Sequence, residues 1–544
     1  MVADMRNSPI LRKPVWAASC GLARRACTMA AAGAVALALA GCGALAPNTF
    51  QSETYSENTA KRVFEDAYDH IQERYIEPVA IAPLALNGMR GLLATQEGPG
   101  LRLNDQAETI AVMTHGNTLA QFQRPGTHDA EGWAEVTAGV VQSASTAEPK
   151  MAALSAEEIY QTVLNGVVEL LDPFSRYASA RDAEQQRAAR EGFDGIGISI
   201  RTENGETHVI KVMLGTPAAA SGLLTGDLIT HVDGQPLAGL EPNDVVERLR
   251  GPVGSEVVLG VLRGDPPRPV QVQLRRAHVV PATVEARMDG NLAIFRISSF
   301  NRTTSDDLEQ EYARLAQKPI HGIIIDLRGN PGGLLDQAVL AADLFLDRGI
   351  VISTFGRHPA ASSIFTADAR QIAEGVPMVL LINGRSASAA ELMAAALQDR
   401  GRATVIGTTT HGKGSVQNLA RLPNGGELLI TWSRMHAPSG YILDRLGVLP
   451  SICTANPAAL ESTAAVSASL DNYAVSAARW HRYDHVDPPL AEALRTACPA
   501  SMEQPDSDIA LAKRLLHDPT LYQQAVRPVL ESAAAHALTG RGTS

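Results

Sequence analysis

Beyond residues 1–41 the chain has no apolar run long enough to cross a bilayer, so no later membrane span is expected. It has no C-x-x-C pair or comparable spacing, so no zinc site is expected. It lacks any extended polar low-complexity tract, and 45% hydrophobic with 19% charged residues is the composition of a folded chain. Cations are in the minority: 47 Lys and Arg stand against 58 Asp and Glu, a formal charge of −11. That balance argues against binding nucleic acid or anionic lipid surfaces. At 544 residues the chain has room for several domains.

Residues 1–41 contain the pattern of an export signal. Arg12, Lys13, Arg24 and Arg25 precede the apolar run MAAAGAVALALA, Met29 to Ala40, which is too short to span a membrane but suits a signal core. The run ends in Leu39-Ala40-Gly41-Cys42, which resembles a bacterial lipobox, with cleavage before Cys42 and acylation of that cysteine. Residue 43 is Gly rather than Asp, so the resemblance favours the outer membrane. The expected location is the periplasmic side of a Gram-negative cell envelope, with residues 42–58 as a tether. Cys453 and Cys498 are then an even pair in an oxidising compartment, which leaves a disulfide or two unrelated buried thiols.

Residues 59–191 read as helical, with an insertion near 97–150. AKRVFEDAYDHIQERYIEP has apolar residues at helical spacing until Pro78 stops it, and Ser155 with Glu158 forms a capping-box pattern at the start of SAEEIYQTVLNGVVELL. Within the insertion, ETIAVMTHGNTLAQFQ predicts a hairpin around His115-Gly116-Asn117, followed by a stretch rich in Ser, Thr, Gly and Ala. Residues 192–278 read as strands with two short helices and resemble a PDZ domain. Gly195, Ile196, Gly197 and Ile198 stand in the position of its carboxylate-binding loop, where successive backbone N–H groups can cradle a terminal carboxylate. From 279 to 452 strands and helices alternate. Runs such as GIIID and MVLLI suit strands buried on both faces, so an α/β core is expected. Residues 453–544 are Ala-rich and helical, without an interpretable motif.

Four short stretches carry chemistry: LDPFSRY (Leu171 to Tyr177), LRGNPGG (Leu327 to Gly333), NGRSASAAEL (Asn383 to Leu392) and GTTTHGKGSVQ (Gly407 to Gln417). In this order they resemble the carboxyl-terminal processing proteases, also called tail-specific proteases. These are serine peptidases with a Ser-Lys dyad and an embedded PDZ domain. The resemblance covers about 59–450 and implies an α+β protein: a crotonase-like tail-specific-protease core, an inserted mainly-β PDZ domain, and helical ends. Residue by residue, it implies Ser388 as nucleophile, Lys413 as base and Gln417 as the residue orienting the lysine. It also implies an oxyanion hole from the backbone of Ala389 and of Gly332 or Gly333. No cofactor is implied.

A serine hydroxyl needs a neighbouring base, and a lysine serves only when neutral, so Lys413 should be desolvated and free of any carboxylate partner. Other readings of these residues stay in view. Gly407, Gly412 and Lys413 fit a G-x-x-x-x-G-K phosphate loop, but residue 414 is Gly where Ser or Thr should hold magnesium, and strands rather than a helix follow. Ser386 is the alternative nucleophile. Ser388 with Glu391 is also a capping box, and His411 lies two residues from Lys413. Asp326 reads as structural, Asp172 and Ser175 as organisers of the junction with the PDZ-like segment, and Ser451 stands where the family usually has Asp. The function expected is a periplasmic endopeptidase that recognises protein C-termini, possessing a lipid anchor and open to an oligomeric state or an activating adaptor protein. The rivals are a non-catalytic PDZ lipoprotein acting as an adaptor and a crotonase-like acyl-CoA enzyme.

Overall fold

The computed structural model describes residues 55–94, 100–368, 371–456 and 460–526. The export signal, Cys42 and most of the tether lie outside the described residues. No helix among the described residues is long and apolar enough to cross a membrane.

At the centre is a six-stranded sheet with the order Val284–Asp289, Leu292–Ile297, Gly322–Asp326, Met378–Ile382, Thr404–Gly407 and Ile452–Cys453. The first two strands form an antiparallel hairpin and the remaining neighbours run parallel. The GIIID and MVLLI strands are buried at every position, as expected for strands covered on both faces. One face packs on the helices Thr304–Leu315, Leu335–Asp343 and Ala389–Asp399. The other face carries Ile324, Val379, Leu381 and Ile406, which pack on Val466 and Leu470 of the helix Thr463–Trp480 and on Leu511 and Leu515 of the helix Asp506–His517. The Ala-rich tail is therefore half of the core's cover. Burying leucines of this kind contributes about 1.5–3 kcal/mol each.

A second sheet lies beside the core, in the order Ser363–Ala367, Gly349–Phe355, Glu427–His436 and Ser415–Arg421, with the short strand Arg176–Ala178 also paired to Glu427–His436. The strands expected after Lys413 are its last two, joined by a turn at Asn424-Gly425 in which Gly425 takes a positive φ of 82°.

The N-terminal region holds the helices Glu57–Arg74 and Ile81–Ala94, separated around Pro78, together with Ala130–Ala147 and Ala156–Val168. The hairpin predicted at His115-Gly116 is the second turn of a three-stranded meander, Leu101–Asp105, Thr109–Thr114 and Asn117–Gln123. The small-residue stretch after it is the helix Ala130–Ala147, whose start is capped by the Asp129 side chain accepting from the Gly132 N–H. Small side chains weaken its apolar pattern in the sequence, but Trp133, Val140 and Val141 are fully buried and fix it against its neighbours.

Residues 193–279 form a five-strand β-fold with an additional short pairing strand, Gln235–Pro236. The chain's two crossings into this fold are zipped together, Phe193–Gly195 pairing antiparallel with Ala277–Val279. The strand Ile198–Glu203 is an edge of its sheet, bonded only to Glu206–Val212 among the described strands. A cavity of about 290 Å³ runs between this edge and the helix Pro242–Leu249, lined by Gly195, Ile196, Gly197, Ile198, Val246 and Leu249. Gly197 has a φ of 83° and packs against Thr216, whose side chain leaves no room for a Cβ there. The helix Ala180–Glu191, which leads into this domain, is bound to the second sheet. Arg187 and Arg190 donate to the buried carboxylate of Glu427 at 2.7 and 3.0 Å.

Candidate active site

Three loops at the ends of the central strands meet at one point. The first follows the strand Gly322–Asp326 and contains LRGNPGG. Asn330 is fully buried within it; its Nδ2 donates to the Ile297 carbonyl at 2.9 Å and its Oδ1 accepts from the Gly332 N–H at 2.8 Å. The Asn330 carbonyl in turn accepts from the Ala387 N–H at 2.9 Å, which ties this turn to the loop before the helix Ala389–Asp399.

That second loop contains both candidate serines, and the structure separates them. Ser386 is fully buried; its hydroxyl donates to the Leu327 carbonyl at 2.8 Å and accepts from the Asn383 N–H at 3.0 Å, so it is a structural brace. Ser388 is partly exposed at the helix N-terminus with φ 55° and ψ −115°, a conformation that costs a non-glycine residue about 1–3 kcal/mol. Its backbone N–H donates to Glu391 Oε2 at 2.7 Å. The Ser388 side chain facing the Glu391 amide completes a capping-box arrangement but makes no cap hydrogen bond. The next residue's amide, that of Ala389, is in the first turn, where helix N–H groups lack intrahelical partners and the dipole favours an anion.

Gly332 packs directly on this elbow. A Cβ at Gly332, whose φ is 100°, would stand 2.9 Å from Ser388 Cβ and 3.0 Å from Ala389 N. The two expected oxyanion donors from this turn are thereby told apart. The Gly332 N–H is already given to Asn330, whereas Gly333 bridges to Phe300 through bonds made by its neighbours.

The third loop contains Lys413. Its Nζ lies 5.5 Å above the Phe174 ring of LDPFSRY, and no carboxylate pairs with it among the described residues. Glu391 is fully buried and accepts four bonds. Thr410 Oγ1 and the Gly412 N–H reach its Oε1 at 2.6 Å each, and the Ser388 and Lys413 N–H groups reach its Oε2 at 2.7 and 2.9 Å. One oxygen atom thus holds the main chains of Ser388 and Lys413 together. Burial raises the Glu391 carboxyl above its usual range, against the pull of these bonds.

Gln417 is placed differently from expectation. Its Nε2 donates to Ser415 Oγ at 3.0 Å, and among the described residues it makes no hydrogen bond to Lys413; the pairing register of its strand shifts between Val416 and Gln417. His411 is exposed. Asp326 is taken up by Arg328 in a two-pronged pair at 2.9 Å, a structural role. Asp172 accepts from the Phe174 and Ser175 amides and from Thr431 Oγ1, so it and Ser175 fasten the LDPFSRY turn to the strand Glu427–His436. Ser451 is buried and accepts from Gln398 Nε2 at 3.1 Å.

A model of peptidase family S41 matches residues 291–454, and a PDZ domain model matches residues 208–263. Across 306 residues the chain is 36% identical to the carboxy-terminal-processing protease of Bartonella bacilliformis, covering 55% of this chain and 70% of that protein. The chain belongs to the carboxy-terminal-processing protease family. A probable CtpA-like serine protease of Staphylococcus aureus is 32% identical over 309 residues, 56% of this chain and 61% of the relative. Among solved structures, the photosystem II D1 C-terminal processing protease is 24% identical, with a TM-score of 0.37 over 73% of this chain and 92% of that one.

The sequence expectation that Lys413 is the base turns on its protonation state. Burial lowers its pKa first, and the charge of Arg176 lowers it further; Glu391 and Asp172 act in the opposite sense. Arg176 is the first residue of the strand Arg176–Ala178, two residues beyond Phe174. Its Nη2 donates to Gln186 Oε1 at 2.9 Å. Substituting Arg176→Gln removes a repulsive cation, so Lys413 will hold its proton to higher pH. The acid limb of the pH profile of kcat/KM should move upward, most at low ionic strength, where an exposed charge is least screened.

Proposed function

We propose that this chain is a periplasmic endopeptidase that recognises protein C-termini and cuts by an acyl-enzyme mechanism. In this reading Lys413, neutral when substrate arrives, takes the proton of the Ser388 hydroxyl as that oxygen attacks the scissile carbonyl. The oxyanion is received by the Ala389 N–H, with the Gly333 N–H as second donor. The protonated lysine then gives its proton to the leaving amine, and water repeats the sequence to release the acyl group. Gln417 acts on this site through Ser415 and the strand they share. The groove at Gly195 to Ile198 takes the terminal carboxylate on the loop's N–H groups, and the open edge Ile198–Glu203 takes the peptide as an added strand. The export pattern and Cys42 support a lipid anchor, with the outer membrane favoured.

The observation that carries the reading is the shared carboxylate: Glu391 holds a strained serine and a desolvated lysine by one oxygen. The test is incubation of the protein with an unstructured polypeptide ending in apolar residues, followed by mass spectrometry. Cleavage that survives chelators and is absent in Ser388→Ala is the expected result. Binding without cleavage by the unmodified protein would instead make it an adaptor.

A further inference from the structure

The residues after 453 do more than cover the sheet. The segment from Arg495 to Asp508 touches each of the three loops. The Cys498 carbonyl accepts from Thr409 Oγ1 at 2.6 Å, the Ser501 carbonyl accepts from the Gly384 N–H at 2.7 Å, and the Met502 and Glu503 carbonyls face Asn383 Nδ2. Arg328 of the LRGNPGG turn donates to the Pro505 carbonyl at 2.8 Å and pairs with Asp508. Cys498 is joined by a disulfide to Cys453, which lies beside Gly407 at the root of the lysine loop.

Arg495, the last residue of the helix Pro488–Arg495, enters this assembly as a cation. Its Nη2 donates to the Thr410 carbonyl at 2.8 Å and its Nη1 to the Leu446 carbonyl at 2.6 Å. Both are charge-assisted bonds from a rigid, planar group. Gly447 shows how tightly the parts converge: a Cβ there would stand 2.6 Å from Thr410 Oγ1, 3.1 Å from Glu391 Oε1 and 3.2 Å from Arg495 Nη1. The residue whose carbonyl Arg495 holds is thus the one whose hydroxyl donates to Glu391.

We propose that Arg495 is a positioning residue for the Ser388–Lys413 site, fixing the lysine loop against the serine elbow through Thr410 and Glu391. This rests on the reading of Ser388 and Lys413 given above. Arg495 touches neither of those side chains. It sets the place of the loop between Thr410 and Lys413, and with it the distance over which the proton passes. A base displaced by about 1 Å can lose about a hundredfold in rate while substrate binding is untouched.

The experiment compares Arg495→Ala, Arg495→Lys, Ser388→Ala and Lys413→Ala with the unmodified protein on one unstructured peptide. Fold is checked by circular dichroism and by thiol titration of the intact disulfide. We expect R495A to be folded, with kcat reduced about 30-fold or more and KM changed by less than about threefold. R495K should be intermediate, and millimolar guanidinium added to R495A should recover several-fold of the lost rate. A folded R495A with kcat within about threefold of the unmodified protein overturns the proposal, as does a loss that falls on KM alone or that guanidinium leaves unchanged. Should R495A not fold, Arg495→Gln, which cannot reach both carbonyls, is held to the same thresholds. Cleavage by S388A or K413A at the unmodified rate would instead overturn the dyad, a result separate from any outcome at Arg495.

Discussion

Substituting Lys413→Ala should leave a folded protein that binds peptide and cuts it about a thousandfold more slowly or worse, the loss falling on kcat. The sharper version is Lys413→Arg. Arginine keeps the charge, most of the length and the stacking on Phe174, yet a guanidinium does not give up its proton in a protein. If Lys413 served as a structural cation or an anion holder, K413R would keep most of the activity. If it is the base, K413R will be as slow as K413A. The magnitude follows from what is removed: a thousandfold in rate is about 4 kcal/mol of transition-state stabilisation, within reach of one well-placed proton acceptor. Burst and steady-state measurements with an activated ester separate the two readings.

The second large effect is expected at Glu391. Glu391→Ala strips the acceptor from the amides of Ser388, Gly412 and Lys413 and from the Thr410 hydroxyl, all inside the protein. Unsatisfied buried donors cost about 1–3 kcal/mol each, so the variant should lose about 3 kcal/mol or more of stability, read as a lower urea midpoint at constant m-value. Activity should be lost along with it, because the strain at Ser388 no longer has an opposing bond. Glu391→Gln fills the same space and keeps one acceptor oxygen. Its amide must turn toward either the Thr410 and Gly412 pair or the Ser388 and Lys413 pair, so both losses should be intermediate.

These two residues also mark what the sequence could reveal. Ser388, Lys413 and the LRGNPGG turn were legible because each belongs to a short motif in fixed order, and the buried strands GIIID and MVLLI announced the sheet. Glu391 was legible only as a helix cap, since its partner Ser388 is three residues away while the others come from residues 410–413. Gln417 was expected to orient Lys413, and the bond its amide makes to Ser415 instead leaves no mark in composition. The helix Ala130–Ala147 was hidden by its small residues, which become informative only once Trp133 and the neighbouring helices enclose them. Arg495 was invisible for another reason. It binds main-chain carbonyls, which every residue possesses, so no side-chain pattern could have pointed to it.

The order in which the chain is synthesised gives the C-terminal segment a further meaning. A ribosome-bound chain already holds Ser388, Lys413 and the groove at Gly195 to Ile198 well before residues 495–508 emerge. Until they do, Thr409, Asn383 and Arg328 lack the carbonyls that brace them. A copy ending before residue 495 would therefore present the serine elbow and the lysine loop without their brace, the state in which the proposal for Arg495 expects slow cutting.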